Sequence, residues 1–535
     1  MPRKSLDCDV VIIGAGHNGL VCAAYLAAAG LSVHLIERRA VVGGAAVTEE
    51  FHPGFRNSVA AYAISLLPPK IIGDLELHRF GLNIVSRRVN NLWPMPDGRF
   101  LALGGAADMA TEIGKFSGAD AAAAPAYFQA LERTADVVRD LVLQAPPNVG
   151  GGLGEVLKAF QLGNRFRRLE IADQRLLFDL FSQSAADFLR HWFEDERIIG
   201  ALAFDSIVGT YSSPHMPGSA YILLHHAFGE VNGRKGVWGH ALGGMGAVSA
   251  AMARCAQARG ASITLNSAVR EVLIENGRAA GVVLATGEVV RARAVAANVN
   301  PRLLFLDLID PSILDDDFHH RIKRWKCGSA TFRMNVALSE LPRFTCLDGQ
   351  DASDYLTAGI IIGPDLDYLD HAYRDARREG FSRRPVIEML IPSTLDDSLA
   401  PVGAHVASLF CQHFAPELPE KASWDANRQI AADLILDTVN EYAPNFRASV
   451  LGTQMLSPLD LEREFGLTGG DIFHGALSLD QLFAARPMLG HADYRMPVPR
   501  LYLCGAGAHP GGGITGAPGH NAAREIIKDL RRRTR

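Results

Sequence analysis

Gly14, Gly16 and Gly19 stand with GxGxxG spacing in GAGHNG, between an apolar run ending at Ile13 and an alanine-rich stretch of helical pattern. In such a turn the first glycine permits the tight bend and the second lets the backbone approach a pyrophosphate at a helix N-terminus. The third lets the helix pack close to the sheet. Glu37 ends the next apolar run, where a carboxylate can accept hydrogen bonds from ribose hydroxyls. This combination predicts a dinucleotide site. A second glycine cluster, CGAGAHPGGGITGAPG within residues 501–530, again joins an apolar run to a helical pattern. Bare backbone after a strand admits a phosphate or a flat ring, so the two clusters are read as walls of one ligand site.

Side chains able to move a proton or hold a polar atom lie elsewhere. His225 and His226 are adjacent in YILLHHAFGE; on a helix they diverge by about 100°, so at most one faces a given ligand. The expectation for each is a hydrogen-bonded core histidine, with a place at the ligand as the alternative. His474, in DIFHGALSLDQ, shortly precedes the last glycine cluster and is a candidate for the pocket border. Arg333, in the alternating TFRMNVALSELP, either orients a polar or acidic substrate or points to solvent, and the solvated strand face is the expectation. Asp480 reads as a helix cap. The seven cysteines are odd in number and never spaced CxxC, which fits a reducing compartment and offers no local redox dithiol. Neither HExxH nor a Cys/His zinc spacing occurs, so no metal is expected.

These groups need a scaffold that spans the chain. With 535 residues, one hydrophobic core is insufficient, and two domains are expected. A net charge of −5 gives no general attraction for nucleic acid. The most apolar stretch, residues 20–33, is interrupted by Gly30 and Ser32, so no membrane-spanning helix is expected; the short polar lead before residue 9 lacks the core of a signal peptide. Residues 8–37 form a βαβ pattern, residues 104–210 turn helical with a break at APPNVGGGLG, and residues 243–300 give one helix and several strands with turns at 275–277 and 286–287. Residues 330–455 alternate strands with charged helices. The predicted fold is α/β. A discontinuous Rossmann-type nucleotide domain (1–75, 240–300, 485–535) is interleaved with an α+β substrate domain carrying a helical insertion (76–239, 301–484).

RRAVVGGAAVTEE, directly after Glu37, contains Gly43-Gly44, and this diglycine resembles the motif of the flavoprotein superfamily of amine oxidases and carotenoid desaturases. There the chain passes close to FAD, and arginine commonly follows the diglycine; here Ala45 does, which disfavours an amine-oxidase type of site. The C-terminal cluster resembles the carotenoid-desaturase version of the opposite FAD wall. This implies contacts from Gly505, Gly513, Ile514 and Thr515, with the helix that starts near Gly516 directed at the flavin ring. Val269, in SITLNSAVREVLIENG, fits the place of a valine whose backbone holds adenine, or is an ordinary core valine. Longer stretches, among them PGFRNSVAAYAISLLPP and RPVIEMLIPSTLDDSLAPVGAHVASLF, resemble the carotenoid and retinoid oxidoreductase family and, more distantly, phytoene desaturases and desaturase-like β-carotene ketolases. The resemblance covers nearly the whole chain.

It implies an FAD-dependent oxidoreductase that desaturates or isomerises an extended apolar, polyene or lipid-like substrate by hydride transfer to flavin N5. The alternative is a flavoprotein acting mainly through partner binding, as a regulator of mitochondrial function in eukaryotic relatives. The electron acceptor and oligomeric state stay open. No second strand-GxGxxG-helix unit is present: GGMGAV at 243–248 lacks the third glycine, and GGGLGE at 150–155 follows no strand, so reduced pyridine nucleotide should be a poor reductant. The expected compartment is the cytoplasm, or the mitochondrial matrix for eukaryotic relatives. The tail RRRTR, with Arg531, Arg532, Arg533 and Arg535, either frays in solvent or touches an anionic membrane surface.

Overall fold

The computed structural model describes residues 7–105 and 108–532. Two seven-stranded sheets organise the chain. In the first, Ser262–Thr264, Val33–Ile36, Cys8–Ile13 and Val289–Ala297 lie side by side and parallel. Val10, Val11 and Ile12 are fully buried, as a strand covered on both faces by helices requires. Val289–Ala297 is long enough to serve two neighbours on its other side. Its first residues pair antiparallel with Arg278–Leu284, and its last three pair in parallel with Leu501–Leu503. The expected hairpin turn at 275–277 joins Val269–Glu275 to Arg278–Leu284, with Asn276 and Gly277 both at positive φ. The helices His17–Ala28, Met245–Ala258 and Ala517–Arg532 pack together on this sheet. The nucleotide fold is therefore assembled from three distant stretches of chain.

The second sheet runs in the order Val450–Leu456, Thr331–Leu338, His405–Phe414, Phe381–Leu390, Gly359–Ile362, Asn91–Pro94, Phe100–Leu103. Every residue of Thr331–Leu338 is buried, although the alternation of its sequence predicts one wet face. Arg333 is only 1% exposed, so the solvated reading of this residue is wrong. The helices Gly118–Val142, Leu153–Arg167, Ile171–Ser182, Ala185–Arg190, Glu196–Ala203 and Ala220–His226 form the inserted layer. The proline- and glycine-rich break at 145–152 separates the first two. Among the described residues no helix is long and apolar enough to cross a membrane. Arg531 and Arg532 end the last helix, and Arg533 and Arg535 lie outside the described residues.

Candidate functional site: a cofactor cavity between two sheets

The strand Cys8–Ile13 ends at Gly14, whose N–H donates to Ile36 O at 2.8 Å, and Gly16 caps the following helix. Gly19 sits so close beneath the turn that a Cβ would lie 2.3 Å from Gly14 O. The diglycine is drawn to the same place. Gly43 bridges Gly16, and its N–H donates to Ala15 O at 2.8 Å. Gly43 has φ +122°, and a Cβ there would meet Ala46 O at 2.4 Å. Glu37 is 6% exposed; its Oε2 accepts from Ala15 N at 2.8 Å and its Oε1 from Arg39 N at 2.9 Å. A carboxylate has roughly four acceptor positions, so both oxygens keep capacity for ribose hydroxyls.

These groups border a cavity of about 420 Å³. Gly14, Gly16, Glu37, Gly43, Gly44, Val269, Gly513 and Ile514 line it, together with Ala45 and Ala506. Gly19 and Gly505 stand behind the lining, Gly505 backed by Asn298 at 3.0 Å from its would-be Cβ. Thr515 borders a second cavity of about 200 Å³ that shares Ser65 and Leu66 with the first. Around the large cavity, His17 Nε2, Asn18 Oδ1, Arg39 Nη1 and His474 Nδ1 are buried without a hydrogen-bond partner. Each such atom costs roughly 1–3 kcal/mol unless something satisfies it. A dinucleotide with phosphates, hydroxyls and ring heteroatoms supplies donors and acceptors of the required kind. The residues present fit FAD.

The opposite end of the cavity belongs to the second sheet and the helical layer. Arg333 Nη2 donates to Ser408 Oγ at 2.6 Å, its guanidinium lies 4.5 Å from the centre of the Tyr62 ring, and its Nε and Nη1 have no partner. Tyr62 in turn donates to Glu388 Oε2 at 2.5 Å. Burial raises the Glu388 carboxyl above its ordinary value, while nearby Arg87, the Tyr62 hydrogen bond and Arg333 oppose that shift. Of the histidine pair, His226 lines the large cavity and His225 the small one, the divergence that adjacent helical positions impose. His226 Nδ1 is 2.9 Å from Ile222 O, and His225 Nε2 is buried without a partner. Burial lowers His225 to about 3, with His226 and Arg486 adding to the shift. His474 lines the large cavity and is lowered to about 4 by burial and by Arg486. Asp480 is not a cap; it is an exposed partner of Lys326 at 2.8 Å.

Sequence reading missed several groups. His17 and Asn18 occupy the variable positions of GAGHNG, which the motif leaves unspecified. Tyr62 and Glu388 carry no motif; only folding brings them to Arg333. Arg486 is fully buried and donates to the carbonyls of Phe473, Gly475, Ala476, Gln481 and Ala506, fastening the His474 loop to the C-terminal glycine segment.

The fold and this cavity agree with what the chain resembles. Residues 12–70 match the NAD(P)-binding Rossmann-like domain, and residues 137–332 match the flavin containing amine oxidoreductase family. Pyridine nucleotide-disulfide oxidoreductase domain-containing protein 2 of Rattus norvegicus is 42% identical over 98% of this chain and 94% of its own length. The chain belongs to this family. A phytoene desaturase (lycopene-forming) of Pseudescherichia vulneris is 26% identical over 97% of this chain and 99% of its own. Among solved structures, an oxidoreductase from Methanosarcina mazei shares the fold, with TM-score 0.60 and 18% identity, covering 97% of this chain and 100% of that one. The family's dithiol name finds no CxxC here: the seven cysteines are free. The protein is an FAD-dependent oxidoreductase.

Proposed function

We propose that the protein desaturates, or isomerises, an extended apolar substrate that lies at the Arg333 end of the cavity. Bound FAD supplies the hydride acceptor, N5. The observation that carries this reading is the character of that end: Val208, Trp238, Phe410, Ile472 and Phe473 make an apolar and aromatic wall around the buried cation Arg333. Such a wall holds a hydrocarbon body by burial, at about 25 cal/mol per Å². The two free guanidinium nitrogens of Arg333 add one anchor for an oxygen or other acceptor on the substrate. A protonated amine meets a like charge there, which argues, with Ala45, against an amine substrate. The name of the Pseudescherichia relative, phytoene desaturase, supports a polyene or its precursor.

Two histidines can take the proton lost from the carbon next to the hydride donor. The Ile222 carbonyl only accepts, so His226 Nδ1 carries its hydrogen, and in the neutral ring Nε2 is left as the proton acceptor. His474, kept neutral by burial, offers the unpartnered Nδ1. A second reading, a flavoprotein working mainly through a partner, is favoured by one observation: helix Leu153–Arg167 carries an uncovered apolar face.

The test is anaerobic titration of the holoprotein with terpene hydrocarbons, retinoids and long-chain lipids in micelles, following flavin absorbance. The expected result is bleaching by at least one of them and none by NADH or NADPH. Bleaching by polyamines alone, or fast saturable reduction by a pyridine nucleotide, overturns the reading.

A further inference from the structure

The helix Leu153–Arg167 has no buried residue along its whole length. Leu153, Val156, Leu157 and Phe160 follow i, i+3, i+4, i+7 spacing and so share one face, with exposures of 83%, 60%, 61% and 71%. An apolar stripe of this kind normally faces a core; here none of the described residues covers it. The next helix, Ile171–Ser182, repeats the arrangement. It buries Leu177 and Leu180 and leaves Ile171 and Phe178, seven residues apart on one face, 60% and 71% exposed. Exposed apolar stripes on each of two successive helices mark surfaces that something covers.

Charge and position select the occupant. From Leu153 to Ser182, across both helices, there are five basic and four acidic residues, and the stretch 153–168 holds four of the basic ones against Glu155 alone, in a chain whose net charge is −5. Lys158 pairs with Glu155 and Arg165 with Asp140, while Arg167, Arg168 and Arg175 have no carboxylate partner among the described residues. Two copies of one basic surface repel, whereas an anionic lipid headgroup layer attracts it. Position adds a second argument. Asp140, the partner of Arg165, lines the 200 Å³ cavity, and that cavity shares Ser65 and Leu66 with the cofactor cavity. The helix that carries the uncovered face is thus tied through Arg165 to the wall of a cavity next to the site where an apolar substrate would react.

We propose that the face formed by Leu153, Val156, Leu157, Phe160, Ile171 and Phe178 docks on an anionic lipid surface, with Arg167, Arg168 and Arg175 at the headgroups. The apolar side chains insert to the depth of an interfacial helix, about 5–10 Å, and no segment crosses the bilayer. This places membrane contact on the helical layer and not on the basic C-terminal tail. It holds whatever the substrate is, so a failure of docking and a failure of the proposed chemistry are separate results.

The experiment is flotation of the FAD-loaded protein with vesicles of phosphatidylcholine alone and of an equimolar phosphatidylcholine–phosphatidylglycerol mixture. Wild-type protein should float with the anionic vesicles. Leu157→Asp combined with Phe160→Asp alters only exposed side chains, so it should keep FAD and the thermal midpoint while lowering the bound fraction at least about tenfold. Arg167→Ala, Arg168→Ala and Arg175→Ala together should reduce binding to the level on phosphatidylcholine alone, and deletion of residues 531–535 should change little. Unaltered flotation of the double aspartate variant overturns the proposal, as does wild-type protein that ignores both vesicles. A dimer seen by light scattering, dissolved by the aspartates without any vesicle binding, would assign the face to a second copy of the chain.

Discussion

At the Gly14–Gly44 end of the cavity the backbone itself is the wall, and at the Arg333 end long side chains are. The first end is specified by what is missing: a methyl group at Gly19 would collide with Gly14 O at 2.3 Å, and one at Gly43 with Ala46 O at 2.4 Å. The second is specified by contacts made across the chain: Arg333 meets Ser408 and Tyr62, and Tyr62 meets Glu388. A wall of glycine tolerates no added atom but needs no particular neighbour. A wall of buried polar side chains tolerates small changes of shape but fails when one partner goes. Substitutions at the two ends should therefore fail in different ways.

The largest effect is expected at Gly19. Gly19→Ala should yield protein without retained FAD, read from the absorbance of the purified protein, because neither Gly14 O nor the helix can yield. Full FAD content in this variant would break the contrast at its strong end. Arg486→Met comes next: five backbone carbonyls lose a buried charged donor at once, a loss of the class that costs about 3–5 kcal/mol in unfolding free energy by denaturant titration. Arg333→Met should leave FAD bound and lower the rate of flavin reduction by substrate about 100-fold, the scale of losing one buried polar anchor. Loss of FAD in Arg333→Met would show that the two ends are not separate.

A smaller effect is a dependence on pH. His474 has its folded value lowered to about 4 by burial and Arg486, against an ordinary value near 6.5. As pH falls below about 6.5 the unfolded chain takes up this proton and the folded one does not, so stability decreases with falling pH until about 4 is reached. The slope is at most ~1.4 kcal/mol per pH unit for one histidine. His474→Gln should flatten the acid limb of a stability–pH curve by about that single proton; His17, lowered to about 4 by burial and by His474, retains the part of its shift that burial causes. The smallest effect is expected from Val269→Ala, measured by FAD dissociation. If the chain grips adenine there through its backbone, affinity changes by no more than a few-fold; a large loss would make the side chain the contact.

The same contrast explains what was legible in the sequence. Gly14, Gly16, Glu37, Gly43 and Gly44 could be read because backbone geometry repeats with short, fixed spacing, and the sheet they build follows from the same spacing. The hairpin at 275–277 was legible for the same reason, since Asn276-Gly277 encodes its own turn. Arg333 was misread because alternation along Thr331–Leu338 reports one strand, while burial on both faces depends on strands and helices far away in the chain. Tyr62, Glu388 and Arg486 gave no signal, as their partners lie hundreds of residues off or are backbone carbonyls. His17 and Asn18 were hidden inside a motif that specifies only its glycines.

The two glycine walls have one more consequence, for the order of synthesis. Cys8–Ile13 pairs with Val289–Ala297, which also pairs with Leu501–Leu503, and Ile514 lines the same cavity as Gly14. At about 5–20 residues per second, the ribosome delivers the second wall roughly 25 to 100 seconds after the first. During that interval the strand Val289–Ala297 lacks its neighbour Leu501–Leu503, and FAD has only half a cradle. A nascent chain arrested before residue 501 should hold no flavin, so bound flavin doubles as a mark that translation has passed this point.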